Sequence, residues 1–248
     1  MNVIFIAGTD TGVGKTIVTG LLGRYLVSRG RRVVTQKWVQ TGAGAAPGQD
    51  MAVHLKLMGK SAEDFGDSLP LMNPYFFRFA ASPHLAARLE NKPIDAAKIK
   101  RSVKKLSRRF DLCLIEGTGG LLVPFDDGRL LIDIVKELKI PVLVVAKNSL
   151  GAINHTLLSI EALKNRGIEI LGIVFNNISK CEDKVILRDN KKIIGRLSKQ
   201  TIIGELPWAK NFGLLYAKFK PLGARIISRL REVRGKSGDT ITLVQNRL

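Results

Sequence analysis

The sequence predicts an α/β fold: a doubly wound, mainly parallel sheet flanked by helices. Three observations carry this expectation. Six short apolar runs rich in β-branched residues recur, at 2–7, 32–37, 111–116, 141–146, 170–176 and 201–206. They are continuous rather than alternating, as suits strands buried on both faces of a parallel sheet. Helical patterns lie between them, at 15–29, 81–90, 96–109, 131–138, 152–166 and 183–197, and such alternation implies right-handed βαβ units. Lastly, the first run enters a glycine-rich loop that ends in Lys-Thr and opens the first helix. No linker-like stretch, repeat or low-complexity segment divides the chain, so residues 1–248 are expected to form one domain.

The first strand leads into Gly8-Thr9-Asp10-Thr11-Gly12-Val13-Gly14-Lys15-Thr16. Strand, glycine loop, Lys-Thr and helix is the layout of a phosphate-binding loop, so the fold is expected to be P-loop NTPase-like. The glycines let backbone N–H groups turn inward onto phosphate oxygens. The helix start adds its positive dipole end. Lys15 would reach the β- and γ-phosphates, and the Thr16 hydroxyl would face Mg²⁺. Five residues, Thr9 to Val13, separate Gly8 from Gly14. The common motif has about four there, so the longer loop points to a subset of P-loop proteins.

In a doubly wound sheet ligands bind at the carboxyl ends of strands. The second run ends in Lys37-Trp38-Val39-Gln40-Thr41-Gly42, which puts Lys37 at the same crevice as the phosphate loop. Asp50 follows a Gly/Ala/Pro-rich loop and begins a helical pattern. It reads as a helix N-cap, worth about 1 kcal/mol, or as a carboxylate aimed at a metal. The third run ends in Glu116-Gly117-Thr118-Gly119-Gly120. A glutamate there suits an Mg²⁺ ligand, because Mg²⁺ takes one or two carboxylates together with phosphate oxygens and water. Thr16, Asp50 and Glu116 would be enough.

Composition narrows the class further. An apolar content of 45% is ample for a packed core. No apolar run is long enough to span a membrane, and the N-terminus enters its first strand with no secretory pattern. Cys113 and Cys181 are too few for a disulfide framework, and Cys113, inside an apolar run, is expected to be a buried thiol in a reducing cytoplasm. The net charge of +19 raises nucleic acid as a partner. The cations are scattered along helical patterns, however, with no recognition helix or zinc spacing, and solvated helix faces are the simpler reading. The segment 210–248 holds nine Lys/Arg against Glu232 and Asp239. Periodicity from 222 to 233 suggests a packed helix, with an added contact surface as the alternative.

The chain resembles the dethiobiotin synthetase family over about residues 2–209. The resemblance rests on Gly8–Thr16 with its five-residue gap, Lys37 with Thr41-Gly42, Asp50, Asn73-Pro74-Tyr75 and Ser82-Pro83-His84. It continues through Glu116–Gly120, Ile153-Asn154-His155, Asn176 and Gly204-Glu205-Leu206-Pro207-Trp208. It implies ATP as co-substrate, Mg²⁺ as cofactor, 7,8-diaminononanoate and CO₂ as substrates, and a homodimer with sites at the subunit interface. It casts Lys37, Lys15 and Thr11 as catalytic, and Thr16, Asp50 and Glu116 as metal ligands. Nucleotide contacts would come from Gly12, Val13, Gly14, Lys15, Thr16 and Ile17, from Glu116, Gly117, Thr118 and Gly119, and from Asn176, Asn177, Pro207, Trp208 and Ala209. Asn176 would read the adenine edge, and Asn177 either touches nucleotide or only ends its strand. Thr41 and Lys37 would hold the diamine, with Ala152, Ile153 and Asn154 reaching it from the neighbouring subunit. One departure stands out: proline commonly follows the strand-end lysine, and Trp38 here is expected to reshape the crevice wall.

A partition-type ATPase that binds DNA is the main alternative, favoured by the charge. It is opposed by the loop, where the characteristic second lysine of that class would fall at Asp10. Another amide-forming synthetase of this fold would usually carry a glutaminase domain, for which the chain is too short. His84 and His155 read as structural and His54 as a surface or packing residue. No His/Cys cluster has metal-ligand spacing, and no Gly-x-Ser-x-Gly elbow supports hydrolase chemistry.

Overall fold

Each apolar run becomes a strand of one sheet, because none of them has a polar face to give to water. The computed structural model describes residues 2–43, 48–180 and 183–236. The sheet holds β1 (Val3–Gly8), β2 (Val33–Lys37), β5 (Leu112–Gly120), β6 (Val142–Lys147), β7 (Ile170–Asn176) and β8 (Ile202–Leu206), in the order β2-β5-β1-β6-β7-β8. Every pairing is parallel. All residues of β1, β2 and β7 are buried, as continuous apolar runs require.

The flanking helices are α1 (Lys15–Val27), α2 (Gln49–Met58), α3 (Leu69–Met72), α4 (Pro83–Leu89), α5 (Ala96–Arg109), α6 (Leu131–Glu137), α7 (Ala152–Lys164), α8 (Lys184–Ser198) and α9 (Phe212–Lys236). Local chemistry sets their starts. The Asp95 carboxylate accepts from the Ala97 and Lys98 amides at the start of α5, and Asp183 accepts from Val185 at the start of α8. The basic residues of α5 lie opposite an apolar stripe of Ile99, Val103 and Leu106, all fully buried.

Three features exceed the sequence expectation. β5 continues through its glycines to Gly120, where pairing with Gly8 of β1 holds residues of low strand propensity extended. A second, two-stranded sheet joins β3 (Val39–Gln40) to β4 (Tyr75–Phe76), elements too short to leave a periodic signal. Helix α9 is longer than its periodic segment and contains Pro221. It buries Tyr216, Phe219, Leu222, Ile226 and Leu230 and packs on α1, β7 and β8. Residues 237–248 and Cys181 lie outside the described residues. Cys113 is free and fully buried, and burial pushes its thiol up. Among the described residues no helix is long and apolar enough to cross a membrane.

Trp38 corrects an expectation. It is 1% exposed and lies in the core rather than on a crevice wall. Its ring packs against Phe5 and Phe125, at centroid distances of 5.2 and 6.4 Å, and its Nε1–H donates to Gln36 Oε1 at 3.0 Å. A large aromatic ring with one polar atom is stable in a core once that atom is satisfied.

Candidate active site

The strand order makes the carboxyl ends of β2, β5 and β1 neighbours, and strand register does the rest. Lys37 lies opposite Glu116, and Glu116 lies opposite Ile6, just before the phosphate loop. The Lys37 ammonium is 2.6 Å from Glu116 Oε1 and 2.8 Å from Asp50 Oδ2, and it donates to the Gly117 carbonyl at 3.2 Å. The Thr16 hydroxyl, in the first turn of α1, lies 2.9 Å from Asp50 Oδ1 and 3.1 Å from Glu116 Oε1 and shares its one proton between them. Four side chains far apart in sequence thus converge at one point.

The electrostatics follow from burial and pairing. Burial alone would raise the Glu116 carboxyl, but Lys37 and the neighbouring His54 outweigh it and hold the group at about 2. Burial opposes the charge on Lys37, and Glu116 and Asp50 overcome it, so its value rises. Lys15 goes the other way. Burial and then the like charge of Lys37 lower it to about 8, against the smaller pull of Glu116, Asp50 and Asp10. Its Nζ donates to the Asp10 carbonyl at 2.9 Å. The Asp10 carboxylate folds back onto the Thr11 amide at 2.6 Å, so the loop turns on itself at this acid.

The loop geometry is fixed by its glycines and by Asn176. Gly14 caps α1 at φ +97, and a Cβ there would lie 2.0 Å from Asn176 Nδ2. Asn176, at the end of β7, donates from that nitrogen to the Val13 carbonyl at 2.9 Å. Asn176 therefore braces the phosphate loop. Asn177 donates to Glu205, which also pairs with Lys191, and its Oδ1 is buried with no partner among the described residues. Thr118 donates to the Val39 carbonyl at 2.7 Å, tying the β5 glycines to β3. Gly12, Thr11 and Gly119 line the same mouth: Thr11 is exposed, and a Cβ on Gly119 would come 3.8 Å from its Oγ1. Ile17 packs against the core from the first turn of α1, and Thr41 is half-buried just past β3.

Other expected residues stand apart from the ionic cluster. Pro207, Trp208 and Ala209 follow β8, with Trp208 39% exposed under the Lys180 ammonium at 4.3 Å. Ala152, Ile153 and Asn154 form the first turn of α7, after Gly151 at φ +85. No hydrogen bond or ion pair among the described residues links them to Lys37 or Glu116. His84 accepts or donates at Ser82 Oγ, 3.0 Å away, at the start of α4, a structural contact. His155 is exposed.

His54 is the residue that sequence reasoning missed. It is fully buried, and its Nε2 lies 2.7 Å from Glu116 Oε2. The available signal was its spacing: it lies four residues after Asp50, on the same face of one helix. A cavity of about 680 Å³ between α2, α3 and α5 has apolar walls including Met51, Leu69 and Met72. It holds none of the ionic cluster, so the chemistry and this hollow are separate.

These residues fit a divalent cation. Two carboxylates and a hydroxyl already converge on a positive group, the Lys37 ammonium. Among the described residues no three His, Cys, Asp or Glu could hold a metal by themselves, so phosphate oxygens would have to complete the shell, as Mg²⁺ prefers.

A parallel sheet with a glycine loop, a buried lysine and an acid–threonine cluster at its carboxyl edge defines a P-loop nucleotide-binding protein. Solved structures agree at the level of fold. The MinC:MinD cell division complex of Aquifex aeolicus gives a TM-score of 0.57 at 18% identity over 100% of both chains. A plasmid partition protein of Borrelia burgdorferi gives 0.57 at 13%, covering 92% of this chain and 99% of that one. A family model described as an AAA domain matches residues 2–213. Sequence relatives are more specific. The ATP-dependent dethiobiotin synthetase BioD of Chlorobaculum tepidum is 43% identical over 83% of this chain and 85% of its own length. BioD 2 of Haemophilus influenzae is 39% identical over 76% of this chain and 98% of its own. The chain belongs to the ATP-dependent dethiobiotin synthetase family.

Proposed function

We propose that this protein converts 7,8-diaminononanoate, CO₂ and ATP into dethiobiotin, ADP and phosphate, the ring-closing step of biotin synthesis. The observation that carries this reading is the meeting of Lys37, Lys15, Thr16, Asp50 and Glu116 beside the phosphate loop. One substrate amine adds to CO₂, forming a carbamate and releasing a proton. A carbamate oxygen attacks the γ-phosphorus, and the bond to the β-phosphate oxygen breaks to release ADP. The second amine then attacks the carbamoyl carbon, closes the five-membered ring and expels phosphate. The amines sit on adjacent carbons, so closure gains the high effective molarity of an intramolecular reaction.

Phosphoryl transfer asks the protein for alignment and charge neutralisation. Lys15 would lie along the β- and γ-phosphates. Lys37 would exchange the Asp50 and Glu116 carboxylates for the carbamate, keeping its ammonium beside developing negative charge in a dry site. Thr16, Asp50 and Glu116 would hold Mg²⁺. When bound, it supplies charge to the phosphate oxygens and balances the two carboxylates. Thr11 and Thr41 would orient the diamine or carbamate through their hydroxyls. Asn176 would read the adenine edge, helped by the backbone at 207–209, and Asn177 Oδ1, without a partner among the described residues, would offer a further acceptor.

A second copy of the chain would complete the site. Leu150, just before α7, and Leu158, midway along it, are 83% and 56% exposed, which favours an apolar contact along this helix. The α7 N-terminus would then offer its amides to the substrate carboxylate. The free buried Cys113 suits a reducing cytoplasm. The direct test mixes purified protein with ATP, Mg²⁺, bicarbonate and the diamine and seeks ring-closed product by mass. ATP consumption without that product would overturn the reading.

A further inference from the structure

His54 has no role in the chemistry above, yet among the described residues it is the one histidine bonded to the ionic cluster. Its ring is fully buried and its Nδ1 has no partner among the described residues. A buried polar ring with an orphaned nitrogen is costly compared with a leucine of similar size. Among the described residues the ring's hydrogen bond is the Nε2 contact to Glu116 Oε2 at 2.7 Å.

That contact completes a clamp. Glu116 Oε1 takes Lys37 and Thr16, while Oε2 takes His54, so the carboxylate is held at both oxygens and cannot turn about its own axis. The clamp is built into α2. Asp50 and His54 lie one turn apart, and the helix presents the first to Thr16 and Lys37 and the second to Glu116. Gly20 on α1 lets α2 come this close: a Cβ there would lie 2.7 Å from Leu57 Cδ1 and 3.3 Å from the His54 Cα.

We propose that His54 is a positioning residue that fixes the Glu116 carboxylate, keeping Oε1 turned toward Thr16 and Asp50 when Lys37 moves to the carbamate. This rests on the proposed role of Glu116 as a divalent-cation ligand. Outer partners of a metal ligand act in this way, and their loss typically lowers metal affinity about 10- to 100-fold.

The test reads metal binding without turnover, so it is independent of whether dethiobiotin forms. Mn²⁺ binding to the enzyme with ADP is measured by electron paramagnetic resonance for wild type, His54→Leu and His54→Gln. The leucine variant should bind Mn²⁺ about 10- to 100-fold more weakly. The glutamine variant, whose amide can reach the same oxygen, should stay close to wild type. A folded leucine variant with wild-type affinity overturns the proposal, and so does a glutamine variant as weak as leucine, which would make the ring mere packing. Should the leucine variant fail to fold, the wild-type His54 Nε2–H resonance decides: it should shift when Mg²⁺ joins the ADP complex, and an unmoved resonance contradicts the clamp.

Discussion

Lys37 and Glu116 face each other across adjacent strands, both buried, with the ammonium 2.6 Å from Oε1. Two charges are held out of water, each compensated by the other and by further partners, Asp50 for Lys37, and Thr16 and His54 for Glu116. Lys37→Gln should leave nucleotide binding in place and cut turnover by about 10² or more, since one preorganised charge is removed. Stability of the ligand-free protein should fall by about 3 kcal/mol, the low end for a broken buried pair, because Thr16 and His54 still serve Glu116. Steady-state kinetics and denaturant unfolding check both, and near-normal turnover would remove Lys37 from the mechanism.

Lys15 titrates at about 8 in the ligand-free site, well below its ordinary 10.5. Triphosphate needs the charged form. ATP affinity should be steady below that value and weaken about tenfold per pH unit above it. Calorimetry across this range checks it, and a flat profile is the contrary result. The same shift acts on folding. Between about pH 8 and 10.5 the unfolded chain binds a proton that the folded one has lost, so the Lys15 contribution to stability rises with pH in that window.

Gly14→Ala should abolish nucleotide binding. Its φ of +97 strains an alanine by about 1–3 kcal/mol, and the new methyl meets Asn176 Nδ2. Adding Asn176→Ala removes the clash but not the strain, so the double variant should regain part of the lost stability. Strict additivity of the two changes would contradict the contact.

Much of this was legible in the sequence, for specific reasons. The phosphate loop, Lys37 and Glu116 each follow a continuous apolar run, and topology alone sends such residues to one edge. The sequence could not say that Asn176 would brace Val13, because that contact depends on where β7 falls beside the loop. Trp38 stands beside Lys37 in sequence, which points to the crevice, but the bend between β2 and β3 turns its ring into the core against Phe5 and Phe125. His54 was passed over because an isolated histidine in a helix has no signature until its neighbour across the fold is known.

The helix α9 can be tested through Phe219, which is fully buried. Phe219→Ala should destabilise the protein by about 3–5 kcal/mol while leaving KM for ATP unchanged in the folded fraction. An unaffected unfolding midpoint would show that this segment is not integral to the domain.

The net charge of +19 predicts only weak duplex DNA binding, insensitive to sequence and fading steeply with salt. Fluorescence anisotropy at two salt concentrations checks this. Tight, ATP-coupled binding at physiological salt would favour the partition-type alternative.

The most direct measurement follows oxygen. In a reaction with diamine, ATP and ¹⁸O-labelled bicarbonate, run faster than the label exchanges with water, carbamate attack on the γ-phosphorus carries one labelled oxygen into inorganic phosphate. The site described here predicts labelled phosphate formed in step with dethiobiotin, both lost together in Lys37→Gln. Dethiobiotin accompanied by unlabelled phosphate would contradict it.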